Sequence, residues 1–182
     1  MKIYIVRHGE TDSNKHKKSA GQRVDDFLNA NGVEQIKKLS EEIETDFDVI
    51  FSSTMKRTKQ SAKIIAEKIG VPVVERAEIM ERDYGKLSGL LWDDFKRILK
   101  DEGVDWEKEK NGQCYDFRPY DGEHADDVKK RLLKFIEDLR SDYGDKKVLI
   151  VTHGGILRMI HFLFAEIEVE HFQNASVYDF EV

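Results

Sequence analysis

Four short aliphatic runs set the strongest limit on the fold: residues 3–6 (Ile-Tyr-Ile-Val), 49–51 (Val-Ile-Phe), 71–74 (Val-Pro-Val-Val) and 148–151 (Val-Leu-Ile-Val). Runs of this length, rich in β-branched residues and without alternation, read as strands buried on both faces of a helix-covered sheet. A fifth run, 176–182, alternates in polarity and reads as an edge strand. Helical spacing fills the intervals. Ile36, Leu39 and Ile43 follow the turn-like Asn29-Ala30-Asn31-Gly32. Met55, Thr58, Ala62, Ile65 and Ile69 follow Ser53-Thr54, a natural N-cap, and stop at Gly70 with Pro72 beyond. Val128, Leu132, Phe135, Ile136 and Leu139 mark a long helix ending near Gly144, and Ile156, Met159, Ile160 and Leu163 mark another directly after His153-Gly154-Gly155. Alternating strands and helices predict an α/β fold, a mostly parallel mixed sheet with helices on both faces, which is a three-layer sandwich.

At 182 residues, the chain suffices for one core and is short for two, so residues 1–182 are expected to form a single domain. Residues 90–122 are charged and weakly periodic, with Trp92, Trp106 and an Asn111-Gly112 turn; they read as an excursion that helps shape a site. A net charge of −6 and the lack of a basic stripe argue against nucleic acid as a partner. The one basic cluster, Lys15-His16-Lys17-Lys18, reads as solvated loop. No apolar run has the length of a membrane span, Cys114 is alone, and the first strand begins at once, so a cytoplasmic protein is expected.

In open α/β sheets, ligands bind beyond the carboxyl ends of strands. Two runs end alike: residues 3–6 give way to Arg7-His8-Gly9, and residues 148–152 to His153-Gly154-Gly155. One histidine at a strand exit is most often structural. Two, each followed by glycine, point to a site, because glycine admits close backbone approach and a following helix offers free N–H groups to an anion. A third exit, Phe51-Ser52-Ser53-Thr54, leads to Arg57 in the first turn of a helix, where a cation is unfavourable unless an anion sits alongside. Arg7, closing a buried strand, likewise needs an anionic partner and can offer planar donors bidentately. The charged segment Glu81-Arg82-Asp83-Tyr84-Gly85 follows the third strand and would, alone, be read as surface loop.

Taken in order, Arg7-His8-Gly9-Glu10-Thr11 with Asn14, Ser52-Ser53 to Arg57, the segment 81–89, Gly122-Glu123 before a helix, and Thr152-His153-Gly154-Gly155 resemble the histidine phosphatase superfamily, the phosphoglycerate mutase-like fold, along nearly the whole chain. The resemblance implies that His8 is a phosphoryl-accepting nucleophile, that Arg7, Arg57 and His153 bind the phosphoryl oxygens with Asn14 as a further donor, and that Glu81 is the proton donor. It also suggests Arg82, Tyr84 and Gly154 as substrate-binding residues, a small phosphorylated substrate as the ligand, and no metal or other cofactor. His124 stands where many members have Ser, and Asp25-Asp26-Phe27-Leu28 replaces the usual Asp-x-Pro-Leu. Of the other histidines, His16 reads as loop surface, and His161 and His171 as helix or packing positions; no pair has zinc spacing.

The segment 81–89 looks closer to the mutase version of this loop. Cofactor-dependent mutases, however, carry a longer excursion with an Arg-Arg pair that residues 90–122 lack, so hydrolysis of small phosphomonoesters is expected, with phosphoglycerate mutase as the alternative. A non-catalytic phospholigand-binding module is a further alternative. It would need the arginines but not His8, Glu81 and His153 together.

Overall fold

The computed structural model describes residues 1–43, 46–165 and 172–182. Five strands, β1 (Lys2–Arg7), β2 (Val49–Ser53), β3 (Val73–Arg76), β4 (Val148–Thr152) and β5 (Val177–Glu181), form one sheet in the order β3-β2-β4-β1-β5. All pairings are parallel except that of β5 with β1. The helices are α1 (Asp12–Lys15), α2 (Ala30–Glu42), α3 (Lys56–Ile69), α4 (Trp92–Asp101), α5 (Trp106–Gly112), α6 (Ala125–Tyr143) and α7 (Gly154–Phe164).

Strand periodicity divides the core into two layers. Val6, Ile50, Leu149 and Val151 face Ile36 and Leu39 of α2 and Ala62 and Ile65 of α3. Their neighbours Ile3, Ile5, Phe51 and Ile150 face Val128, Leu132 and Phe135 of α6 and Ile156 and Ile160 of α7. Each central strand therefore buries both faces, which is why its sequence is continuously apolar. The sandwich has the three layers expected. Among the described residues, no helix is long and apolar enough to cross a membrane.

The differences from expectation lie at element ends. β3 is an edge strand shifted to Val73–Arg76, with alternating exposure in place of burial on both faces, because only β2 flanks it. Asn29 is not part of a turn but the N-cap of α2, its side chain accepting the Gly32 N–H. Ser53 and Thr54 do not cap α3: the N-cap is Met55, without a side-chain bond of its own, while the Ser53 hydroxyl accepts the Met55 N–H at 3.3 Å and also pairs with His153. The expected Asn111-Gly112 turn is the last part of α5, and the left-handed residue is Gln113. The excursion 90–122 thus contains two helices, with few buried apolar residues to signal them. Gly70 does end α3, at φ 76°.

Candidate active site

Strand register assembles the site. Arg7 on β1 stands opposite Thr152 on β4, and Ser52 on β2 opposite Val151, so the three strands end at one level of the sheet. His8, Ser53 and His153 leave that edge side by side. The His8 and His153 rings meet edge to face with centroids 5.3 Å apart, both buried.

The tautomer of His8 follows from its partner. Nδ1 lies 2.7 Å from the Gly9 carbonyl, which can only accept, so Nδ1 carries the proton and Nε2 keeps its lone pair. Burial, then the positive charges of Arg57 and Arg7, hold the His8 pKa well below the ordinary value, so the ring is neutral. Its carbonyl accepts from Asn174 Nδ2 at 2.8 Å, and that amide also reaches Asn14 Oδ1 at 3.4 Å. Asn174 has no signal in the sequence. Asn14 completes the capping box of α1 with Thr11, which explains its position one turn after the strand exit.

A chain of hydrogen bonds orders His153. Arg57 Nε donates to His153 Nδ1 at 3.2 Å, so Nε2 carries the proton and donates to Ser53 Oγ at 2.7 Å; Ser53 Oγ pairs in turn with Thr58 Oγ1 at 2.9 Å. His153 is neutral for the same reasons as His8: burial first, then the charge of Arg57. In this arrangement both its ring nitrogens have partners, and the ring braces Arg57 against the wall beside His8.

Arg57 also donates to the carbonyls of Val24 at 3.0 Å and Gly21 at 2.9 Å, which leaves two of its five N–H groups for a ligand. Arg7 donates to the Phe172 carbonyl, while its buried Nε has no hydrogen-bond partner among the described residues. Burial lowers the pKa of both arginines, a desolvation cost that an anion between them would relieve.

Glu81 faces this group from the other side. Its Oε2 accepts the Gly155 N–H in the first turn of α7 at 3.0 Å, and Oε1 accepts the Arg82 N–H at 2.9 Å. Gly154 lies against the Arg7 guanidinium, where an added β-carbon would stand 3.3 Å from Nε. Beyond Glu81 opens a cavity of about 310 Å³, lined by Arg7, Arg82, Tyr84, Trp106 and Arg158 among others. Arg82 sits over Tyr115, Trp106 and Tyr84 at 4.8, 5.4 and 5.6 Å, with Nε 3.9 Å from Glu81 Oε1. Trp106 and Tyr115 come from the excursion, which thus walls the site as expected. Lys96 and Lys110 also line the cavity, and both pair with Glu107.

His124 caps α6, with Nδ1 accepting the Asp126 N–H at 3.0 Å, the bond a serine would make. Asp25 accepts the Lys56 N–H at 2.8 Å and Asp26 accepts the Ser13 N–H at 3.3 Å, so the altered loop still ties α3 and α1 to the site. His16 is exposed at the end of α1, and His161 packs against Phe172 and Phe180. His171 lies outside the described residues.

A family model described as the histidine phosphatase superfamily (branch 1) matches residues 3–182. The chain belongs to the histidine phosphatase superfamily. Its curated relatives include a Bacillus subtilis protein named uncharacterized phosphatase PhoE, 34% identical over 91% of this chain and 76% of that protein. They also include a 2,3-bisphosphoglycerate-dependent phosphoglycerate mutase of Parvibaculum lavamentivorans, 31% identical over 87% of this chain and 76% of that protein. Among solved structures, Bacillus stearothermophilus YhfR shares the fold of this histidine phosphatase with a TM-score of 0.84, at 24% identity, covering 100% of this chain and 91% of that one.

Proposed function

We propose that this chain hydrolyses small phosphomonoesters by carrying the phosphoryl group on His8, without a metal ion. The observation that carries the reading is the fixed tautomer of His8, whose Nδ1 is spent on the Gly9 carbonyl so that a neutral Nε2 lone pair is left to attack. Arg7 and Arg57 neutralise the equatorial oxygens, the main requirement of phosphoryl transfer. His8 Nε2 forms the bond to phosphorus as the ester oxygen departs, taking a proton from Glu81. Water then attacks the phosphohistidine, yields its proton to Glu81, and releases orthophosphate. Among the described residues, no three of His, Cys, Asp and Glu gather as a metal-binding group, and the charge on phosphate is met by guanidinium groups instead.

Mutase chemistry is the second reading, favoured by the cationic cavity beyond Glu81 and by the mutase relative. Holding a second phosphate through re-transfer needs more free positive charge than hydrolysis does. Lys96 and Lys110 share the one carboxylate of Glu107, and residues 90–122 have no Arg-Arg pair, so hydrolysis is preferred. The test compares orthophosphate release across phosphorylated metabolites with interconversion of 2- and 3-phosphoglycerate primed by the bisphosphate. Faster interconversion than release from every substrate would reverse the assignment.

A further inference from the structure

The backbone that bears Glu81 belongs to no strand ladder; it leaves a 3-10 turn at Ala77–Ile79 through an extended Met80. Yet every carbonyl from Glu78 to Glu81 is held by a side chain from elsewhere. Thr152 Oγ1, adjoining His153, donates to the Ile79 carbonyl at 2.8 Å. Arg131, on α6, holds the other three: Nη1 donates to the Glu78 carbonyl at 2.6 Å and the Met80 carbonyl at 2.7 Å, and Nη2 to the Glu81 carbonyl at 3.1 Å. Gln22 Nε2 gives the Glu81 carbonyl a second donor at 2.8 Å.

Arg131 is itself fixed by Glu123. Nε donates to Oε1 and Nη2 to Oε2, both at 3.1 Å, in the two-pronged geometry that a guanidinium and a carboxylate share. Glu123 Oε2 also accepts the Asp83 N–H at 2.9 Å and Gln22 Nε2 at 3.2 Å. The pair therefore grips the chain on both sides of Glu81. All five N–H groups of Arg131 are engaged within the protein, so it has none for a substrate, unlike Arg7 and Arg57.

We infer that Arg131, anchored by Glu123, is the positioning residue of the general acid: its fork sets where the Glu81 carboxylate stands relative to His8. The inference rests on the reading of Glu81 as proton donor. It explains why arginine is needed, since a lysine ammonium carries the same charge but not a planar fork able to hold three carbonyls and a carboxylate at once. Charge is a separate effect, because Arg131 also helps to depress the His153 pKa. Arg131→Lys retains the charge and removes the fork.

The experiment measures the phosphorylation step in single turnovers with an alkyl phosphate and with nitrophenyl phosphate, for Arg131→Lys, Glu123→Gln and Glu81→Gln, and for each of the first two combined with Glu81→Gln. Misplacement of a catalytic group by about 1 Å can cost ~10²-fold, so Arg131→Lys is expected to lose about that much on the alkyl ester and less than about tenfold on the nitrophenyl ester. Inhibition by orthophosphate should stay within about threefold, because Arg7, Arg57 and His8 are untouched. Glu123→Gln, which preserves packing, should lose in the same leaving-group-dependent way but less. In the Glu81→Gln background, either change should add little, because the group it positions is already gone. Wild-type rates in Arg131→Lys, equal losses on both esters, or an undiminished loss in the Glu81→Gln background would overturn the inference while leaving Glu81 as the acid. If Glu81→Gln alone loses equally on both esters, the reading of Glu81 fails and the positioning role falls with it.

Discussion

The Glu81 carboxylate rests on the bare backbone of Gly155: Oε2 accepts its N–H at 3.0 Å, and a β-carbon on that residue would stand 2.1 Å from Oε1 and 2.4 Å from Arg82 Nε. The first turn of α7 thus supplies the carboxylate with a donor at the positive end of the helix, and only glycine leaves room for it.

Gly155→Ala is therefore expected to push Glu81 and Arg82 aside while leaving β4 and the His8 pocket in place. Turnover of an alkyl phosphate should fall by roughly 10²-fold, the scale of a displaced catalytic group, with little change in inhibition by orthophosphate. Retention of wild-type turnover would mean that the carboxylate is not poised against this turn during catalysis.

His8→Ala should abolish both turnover and the phosphoryl label trapped by alkaline quenching, while weak orthophosphate binding survives through Arg7 and Arg57. Label trapped at wild-type level in His8→Ala would place the nucleophile elsewhere.

Much of this site was legible because its key residues sit at strand ends, which aliphatic runs mark well. Register then does the rest: Arg7 opposite Thr152 makes neighbours of two histidines 145 positions apart in the sequence. What was not legible depends on tertiary hydrogen bonding. Ser53 looked like an N-cap, but its hydroxyl is the acceptor for His153 Nε2. Asn174 lies in a polar stretch without a periodic signature, and Arg131 is a polar position of α6 whose helix is legible but whose role is not; the partners of both are backbone carbonyls, which any sequence supplies. The helices of the excursion were hidden because α4 buries only Phe95 and Leu99, and Trp106 faces the site cavity.

Ser53→Ala tests the ordering of His153. The change leaves a buried imidazole N–H without an acceptor, which should cost ~1–3 kcal/mol of stability by urea denaturation. Turnover should fall as well, because Arg57 loses a braced partner. A stability loss below about 0.5 kcal/mol would show that His153 finds another acceptor.

The two neutral histidines make a pH prediction. Both are held well below the ordinary value of 6.5. Below that value the unfolded chain binds protons that the folded chain refuses, so stability should fall as pH drops from about 6.5, and level off above it. Each histidine contributes at most ~1.4 kcal/mol per pH unit over this range. Comparing urea midpoints at about pH 6.5 and about pH 5.5 should show a shallower decline for His8→Asn than for wild type. Parallel declines would mean that His8 ionises freely in the folded protein.

The role of Glu81 can be read from the leaving group. An alkyl phosphate expels a strongly basic alkoxide that must be protonated as it departs, whereas nitrophenolate leaves without help. General acid catalysis contributes ~10²–10⁴-fold, so Glu81→Gln should lose about that much on an alkyl phosphate and far less on nitrophenyl phosphate in the phosphorylation step. The comparison belongs in burst or single-turnover measurements, because steady-state rates include hydrolysis of the phosphohistidine, the step in which Glu81 is proposed to act as base. Equal losses in the first step would assign the proton to another group. Asp83 would be the first alternative to test, although its carboxylate is already occupied by Arg23 at 3.0 Å and by the Gly85 N–H at 2.8 Å. His124 is weaker still as an alternative, because its Nδ1 is spent on capping α6.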